Sequence, residues 1–273
     1  MGIITYIRTD SLRIAAEAIT EVREYIGEKY GSDYLPSSPN YYKSKKNIQD
    51  AHESIRPTSL AREPESIKEF LSSDQYKLYK LIFDRFVACQ MSEAVYKTKS
   101  ADITANGYIF RATASERAFD GFMTVYIEGK DNEETKEKKQ SLPALAEGDK
   151  LSFVEFKYDQ HFTEPPPYYI EASLVKELEE QGIGRPSTYA TIISTIIDRK
   201  YIERDKKRLV PTALGICVND FMMKSFPDIV NVHFTAEMET KLDEVEEGDK
   251  NWVEVIKEFY GPFEKDLEKG FDY

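Results

Sequence analysis

The chain has 273 residues, 41% of them hydrophobic and 32% charged, with a formal net charge of −12. That length suits one large domain or two to three small ones, and the apolar share suffices for ordinary globular cores. No apolar run approaches the roughly 18 residues that span a membrane, no signal peptide is visible, and Cys89 and Cys217 lack the CxxC spacing of a zinc site. The chain reads as cytosolic. Its acidic sum speaks against nucleic acid, but only weakly, because contact depends on local patches. Met1-Gly2 leads at once into an apolar segment, as at a boundary cut into a longer protein.

The first zone, to about residue 92, reads as helical. Ile3 to Ser11 is extended, and residues two apart in such a segment point the same way. Tyr6 and Arg8 then present a phenol and a guanidinium to one ligand. A phenol, with a reference pKa of about 10, needs help to attack a phosphodiester, and a neighbouring Arg supplies some. Packing and capping are the plainer reading of the same residues. Asp10 or Ser11 caps a helix with Leu12, Ala15, Ala16, Ile19, Val22 and Ile26 at helical spacing. Gly31 to Pro39 is a loop. On a helical turn, Gln49, His52, Glu53 and Arg56 share a face that could orient a phosphate or shuttle a proton. The alternative is a solvated helix end stopped by Pro57. A second periodic stretch, Ile67 to Val87, carries Phe70, Leu71, Leu78, Leu81, Ile82 and Phe86.

The second zone, about 93 to 160, changes period. Tyr108 to Thr113 and Met123 to Ile127 are β-rich, and Asn106-Gly107 is a hairpin signal. Lys130 to Ser141 is a charged loop, and Leu151, Phe153 and Phe156 mark a further strand.

Pro165-Pro166-Pro167 then forms a stiff connector into the third zone. A helix over Ala172 to Glu180, the turn Gly182-Ile183-Gly184 and a helix begun by Pro186-Ser187 follow, the latter with Tyr189, Ile192, Ile193, Ile196 and Ile197 on one face. A short hairpin turns at Asp205-Lys206-Lys207, and Thr212 opens another helix. This is the order of a winged helix-turn-helix. Arg185, Arg199, Lys200, Arg204, Lys206, Lys207 and Arg208 form the one basic concentration in an acidic chain. Phosphate contacts by Arg, Ser, Thr and a helix N-terminus are its functional use, and a solvated turn is the plain one. From Glu237 onward the tail is acidic and reads as helical, with Met238, Leu242, Val245, Trp252, Ile256 and Phe259 as its apolar set, and no Asp-x-Asp-x-Glu metal cluster is visible.

Several blocks in one order resemble the type IA DNA topoisomerases. Thr5-Tyr6-Ile7-Arg8-Thr9-Asp10-Ser11 resembles their active-site signature, and Gln49 to Pro57 resembles a second. Gln160 to Pro167, Glu171 to Leu174, Gly182 to Ala190 and Phe234 to Glu239 continue the set over nearly the whole chain. Ile7 and the Gly-Ile-Gly-Arg-Pro-Ser form favour the bacterial topoisomerase I branch.

The resemblance implies an α+β multidomain architecture. A helical cap domain bearing the tyrosine would take 1–92, a β-rich arch segment 93–161, and a winged-helix-like single-strand DNA-binding domain 162–273. It implies an ATP-independent isomerase that relaxes negatively supercoiled DNA. Tyr6 would attack single-stranded DNA and link to its 5′ phosphate, Arg8 would hold the scissile phosphate, and His52 would assist. Thr9, Asp10, Ser11, Arg56, Arg185, Ser187, Thr188 and Arg199 would contact DNA. The parent enzyme would be monomeric and use Mg²⁺ held in an N-terminal Toprim domain. That domain, its catalytic Glu and the C-terminal zinc ribbons have no counterpart here, so this stretch alone is expected to hold no metal and to be inactive. Tyr168 stands where the family normally has Arg after the prolines. A non-catalytic winged-helix DNA-binding regulator is the rival, with Tyr6 a packing residue.

Overall fold

In the computed structural model, residues 2–9, 11–42, 52–128 and 142–270 are described. They fall into two compact units, 1–159 and 160–273. Asp10, Gln49 and the expected charged loop from Lys130 to Ser141 lie outside the described residues. No helix among the described residues is long and apolar enough to cross a membrane.

Helix α1 (Ala16–Tyr30) and helix α2 (Ser73–Cys89) supply most of the core of the first unit. Ala18, Val22 and Ile26 repeat every fourth residue along α1 and pack with Tyr79, Phe83, Phe86 and Val87 of α2, joined by Leu60 and Met91. Burial of each large apolar side chain contributes about 1.5–3 kcal/mol. The Tyr79 hydroxyl donates to the Arg62 carbonyl at 2.7 Å. The fully buried Gln90 side chain accepts from Asn40 N at 3.1 Å and donates to Asn40 O at 2.8 Å. These bonds keep buried polar atoms paired, as a core requires.

Three helical expectations need correction. First, α1 begins at Ala16 and not at Leu12, with no side-chain cap at its N-terminus. Ser11 is buried, and its hydroxyl donates instead to the His52 carbonyl at 2.7 Å. Second, residues 52–56 are not a helical turn. Their backbone groups bond to the N-terminal segment, and the residue before Pro57 is biased to extended conformations. Third, the stretch from Ile67 breaks. A 3₁₀ turn (Pro64–Phe70) ends at Leu71, and Ser72 starts α2 with a reciprocal capping box to Gln75. The buried stripe of α2 lies on its aromatic face, which leaves Leu78 and Leu81 exposed, and Phe70 in the 3₁₀ turn is exposed as well.

Strands β1 (Val95–Ala105) and β2 (Tyr108–Phe119) form one antiparallel hairpin. Asn106 and Gly107 sit at φ 49° and 80°, the left-handed pair that a two-residue type I′ turn demands. Ser100 faces Thr113 with their hydroxyls 3.0 Å apart, and Arg111 makes two bonds to Asp102 at 2.7 and 2.8 Å. Met123 to Ile127 is not a strand. Gly121–Thr124 is a 3₁₀ turn, tied by Phe122 N to Ser92 O at 2.9 Å. Residues 151–156 are also without strand structure, because no partner strand accepts their backbone among the described residues.

The second unit follows the expected order. Helix α3 (Glu171–Glu180), a turn with Gly182 and Gly184 at positive φ, and helix α4 (Tyr189–Asp198) come first. The hairpin β3 (Ile202–Asp205) and β4 (Arg208–Pro211) is next, turning at Lys206. Thr212 caps helix α5 (Ala213–Ser225) by accepting from Gly215 N at 3.0 Å. Leu209 N donates to Tyr169 O at 2.7 Å, which lays the segment before α3 along β4. The acidic tail is helical as expected, in two helices, α6 (Val232–Glu247) and α7 (Trp252–Gly270). Asn231 caps α6, and Gly248 ends it in the left-handed conformation. Phe226, Phe234, Phe259 and Phe263 join α6, α7 and the end of α5.

Candidate functional site

Residues 3–13 clasp residues 52–58 from both sides. Thr5 N donates to Arg56 O at 2.9 Å, and Thr58 N donates to Ile3 O at 3.0 Å. The Thr5 hydroxyl donates to Ser54 O and accepts from Arg56 N, both at 2.9 Å. Past the loop, Ser11 holds His52 O, and Ser54 N donates to Arg13 O at 2.7 Å. The stretch from Tyr6 to Thr9 therefore lies between two anchors on one short segment, whose first described residue is His52.

That anchoring brings three of the predicted residues together. The Tyr6 and His52 rings lie 5.7 Å apart between centroids, tilted by 39°. An Arg8 guanidinium nitrogen lies 3.4 Å from His52 Nδ1. A guanidinium only donates, so in this contact Nδ1 can serve only as the acceptor. Tyr6 is 75% exposed. Thr9 is exposed, whereas Ser11 is buried and occupied with His52. Arg56 turns onto Glu53 at 2.9 Å and onto its neighbour's carbonyl at 3.2 Å, with its side chain only 15% exposed. A crevice of 740 Å³ lies against the same two segments, lined by Leu12, Ile14, Ser54, Arg85 and Tyr126 among others, but by none of Tyr6, Arg8 and His52.

In the second unit the basic residues divide into two sets. Arg199, Lys200, Lys206 and Arg208 are exposed and form no ion pair with the described residues. Arg204 is held by Glu171 at 2.7 Å. Arg185 is held by helix α6. It reaches Asp243 at 2.6 Å, Glu239 at 3.5 Å and the Gly184 carbonyl at 2.7 Å. Glu239 also accepts from Gly184 N at 3.1 Å. Gly184 sits at φ 75°, and a Cβ there would crowd Ile192, Thr188 and Tyr189 at 3.2 Å, so glycine permits this turn. The Thr188 hydroxyl accepts from Arg185 N at 2.9 Å, and Ser187 is exposed.

Mg²⁺ takes oxygen ligands in near-octahedral geometry. The groups beside Tyr6 are a guanidinium and an imidazole, and no three His, Cys, Asp or Glu side chains gather as a metal site among the described residues. The described residues do not fit the ion.

Thr5 stands inside the first signature, yet its bridging role is visible only in the pairing with 54–56. Glu239 and Asp243 recur four apart on an acidic helix, which reads in sequence as a solvated face. Nothing in the sequence signals that they reach back to Arg185, 54 and 58 positions earlier.

A mixed α/β chain with these paired segments matches a DNA topoisomerase family model over residues 1–257. The chain belongs to that family, of type IA. It is similar to the full-length topoisomerase I of Thermotoga maritima, with 36% identity and a TM-score of 0.73, over 96% of this chain and 42% of that one. The chain thus spans less than half the length of that protein.

Proposed function

We propose that the chain carries the strand-cleaving tyrosine and a single-strand-binding surface of a topoisomerase that relaxes negatively supercoiled DNA without ATP. The observation that carries this reading is the convergence of Tyr6, Arg8 and His52 on one doubly anchored loop. In the cleavage step Tyr6 Oη forms a bond to phosphorus and the bond from phosphorus to the 3′ oxygen breaks. The phenolic proton leaves to a base, and the departing 3′ oxygen takes up a proton. The product is a 5′-phosphotyrosine diester, and the reverse attack by the 3′ hydroxyl reseals the strand after passage of the other. Arg8 offsets charge on the phosphoryl oxygens, and His52 holds Arg8 through Nδ1 while facing the Tyr6 ring. Thr9, Asp10, Ser11 and Arg56 contact the strand in this reading.

In this reading 1–92 is the cap domain, 93–161 part of the arch, and 162–273 a winged-helix-like domain that binds the strand upstream of the cut. Arg185, Ser187, Thr188 and Arg199 take phosphates there. Mg²⁺ serves the parent enzyme through residues outside those described, the parent acts as a monomer in the bacterial cytoplasm, and the chain alone does not complete the cycle.

The experiment is a comparison of labelled single-stranded and duplex oligonucleotides by fluorescence anisotropy, with a plasmid relaxation assay in Mg²⁺. Preference for the single strand, weakened by Arg185→Ala and Arg199→Ala, supports the reading. Preference for duplex supports the regulator instead. Relaxation of plasmid by the chain alone refutes its incompleteness.

A further inference from the structure

The residue expected to take a phosphate in the second unit is already engaged by two carboxylates. Arg185 donates to Asp243 at 2.6 Å and stands 3.5 Å from Glu239. One guanidinium against two carboxylates leaves the cluster with a net charge of −1, so an approaching phosphate meets repulsion where the sequence offers attraction. The two carboxylates are not equivalent. Glu239 is 26% exposed and also accepts from Gly184 N, which ties it to the turn before α4. Asp243 is 50% exposed, and among the described residues its side chain pairs with Arg185 alone. Asp243 can therefore swing into solvent while Glu239 and the Gly184 carbonyl keep the guanidinium in place. Arg199, Lys200, Lys206 and Arg208 form no ion pair with the described residues, so a strand can be drawn to the unit before Arg185 is released.

We propose that Asp243 is an intramolecular competitor for the DNA phosphate at Arg185, an electrostatic gate that a single strand must displace. This rests on the strand-binding reading above. The gate makes the contact exchangeable: a phosphate replaces the Asp243 carboxylate on arrival, and the carboxylate replaces the phosphate on departure. An enzyme that must hold a cut strand and then let it go gains a release route without weakening the rest of the surface.

The test uses the whole chain and a labelled oligothymidylate. Asp243→Asn keeps an oxygen acceptor and removes the charge. It is expected to tighten single-strand binding about two- to fivefold at low salt, within the range of an exposed ion pair freed for a phosphate. Glu239→Gln is the second variant, expected to tighten binding less. Salt dependence separates the gate from a structural effect. Each phosphate neutralised on a single strand adds about −0.7 to the slope of log affinity against log salt. In the wild type the released carboxylate faces solvent ions again and offsets part of that gain, so the slope should steepen in Asp243→Asn by no more than about 0.7. Arg185→Ala combined with Asp243→Asn should bind no more tightly than Arg185→Ala alone. Unchanged or weaker binding by Asp243→Asn with a wild-type melting curve overturns the gate, even if Arg185→Ala weakens binding as the strand-binding reading requires. If the wild type prefers duplex, the strand-binding reading fails and the gate falls with it.

Discussion

The Thr5 hydroxyl is the most economical place to test whether the clasp around residues 52–58 holds Tyr6 in register with His52. Thr5→Val keeps the shape of the side chain and removes its one donor and one acceptor. Two groups lose their partner at once, the Ser54 carbonyl and the Arg56 N–H, each bonded at 2.9 Å. An unsatisfied buried group costs about 1–3 kcal/mol. This site is half-buried and water partly replaces the lost bonds, so we take the low end and expect about 1–2 kcal/mol in all. With an m-value near 2 kcal/mol/M for a domain of this size, the urea midpoint of the first unit should fall by about 0.5–1 M. The single tryptophan, Trp252, lies in the second unit, so unfolding of the first is followed by near-ultraviolet circular dichroism of its tyrosines. Amide exchange at Arg56 gives the local reading, with protection falling about tenfold per 1.4 kcal/mol. Thr5→Ser should restore both. If neither the midpoint nor the Arg56 amide responds to Thr5→Val, the hydroxyl does not join these segments and the geometry assigned to the loop is wrong.

Acid should loosen the contact between α1 and the segment before the 3₁₀ turn. The hydrogen bond from Lys29 holds the Glu63 carboxyl below its ordinary value, so its contribution is present above about pH 4.5 and is lost as pH falls through the depressed value. Glu63→Gln should flatten that acid limb in a pH series of melting temperatures. Burial pushes the Cys89 thiol up to about 11, and its sulfur donates to Phe86 O at 3.0 Å, whereas Cys217 is exposed. Iodoacetamide at pH 8 should therefore label Cys217 first and reach Cys89 only in urea, as mass spectrometry of tryptic peptides would reveal. Gly215 packs against the Tyr201 carbonyl, which an ideal Cβ would meet at 2.0 Å. Gly215→Ala should cost the second unit about 1–3 kcal/mol, read by Trp252 fluorescence in urea. An unchanged midpoint would mean that α5 sits farther from Tyr201.

What could be read ahead depended on how local the signal is. Asn106-Gly107 specifies its own turn, because two adjacent left-handed residues are costly for anything else. The turn at Gly182 to Gly184, the cap at Thr212 and the β3–β4 hairpin are likewise set within four or five residues. Ser11 illustrates the opposite case. A serine before an apolar-periodic run is a good cap candidate, but the His52 carbonyl 41 positions away takes its hydroxyl, and the helix starts five residues later than Ser11. On α2 two apolar stripes compete, and Tyr79, Phe83 and Phe86 prevail over Leu78 and Leu81. Aromatic rings bury more area per residue, and Tyr79 also satisfies a carbonyl.

The same distinction governs the candidate site. Tyr6, Arg8 and His52 could be nominated from spacing and resemblance, but their meeting depends on bonds from Thr5 and Ser11 to residues more than forty positions on. Arg56 and Arg185 carry equal weight in a motif and differ in the fold. Arg56 has its guanidinium on Glu53 and 15% of its side chain exposed, so its first effect is to stiffen the segment that pairs with residues 3–5. Arg185 is 36% exposed and faces one carboxylate able to leave, so it can exchange partners. The net charge of −12 thus bears on the proposed strand binding through placement. Where acidic residues face their own arginines, as at Glu53 and Asp243, they regulate or consume a cation. Where they do not, as along the exposed run Arg199, Lys200, Lys206 and Arg208, an acidic protein can still offer a phosphate a basic surface.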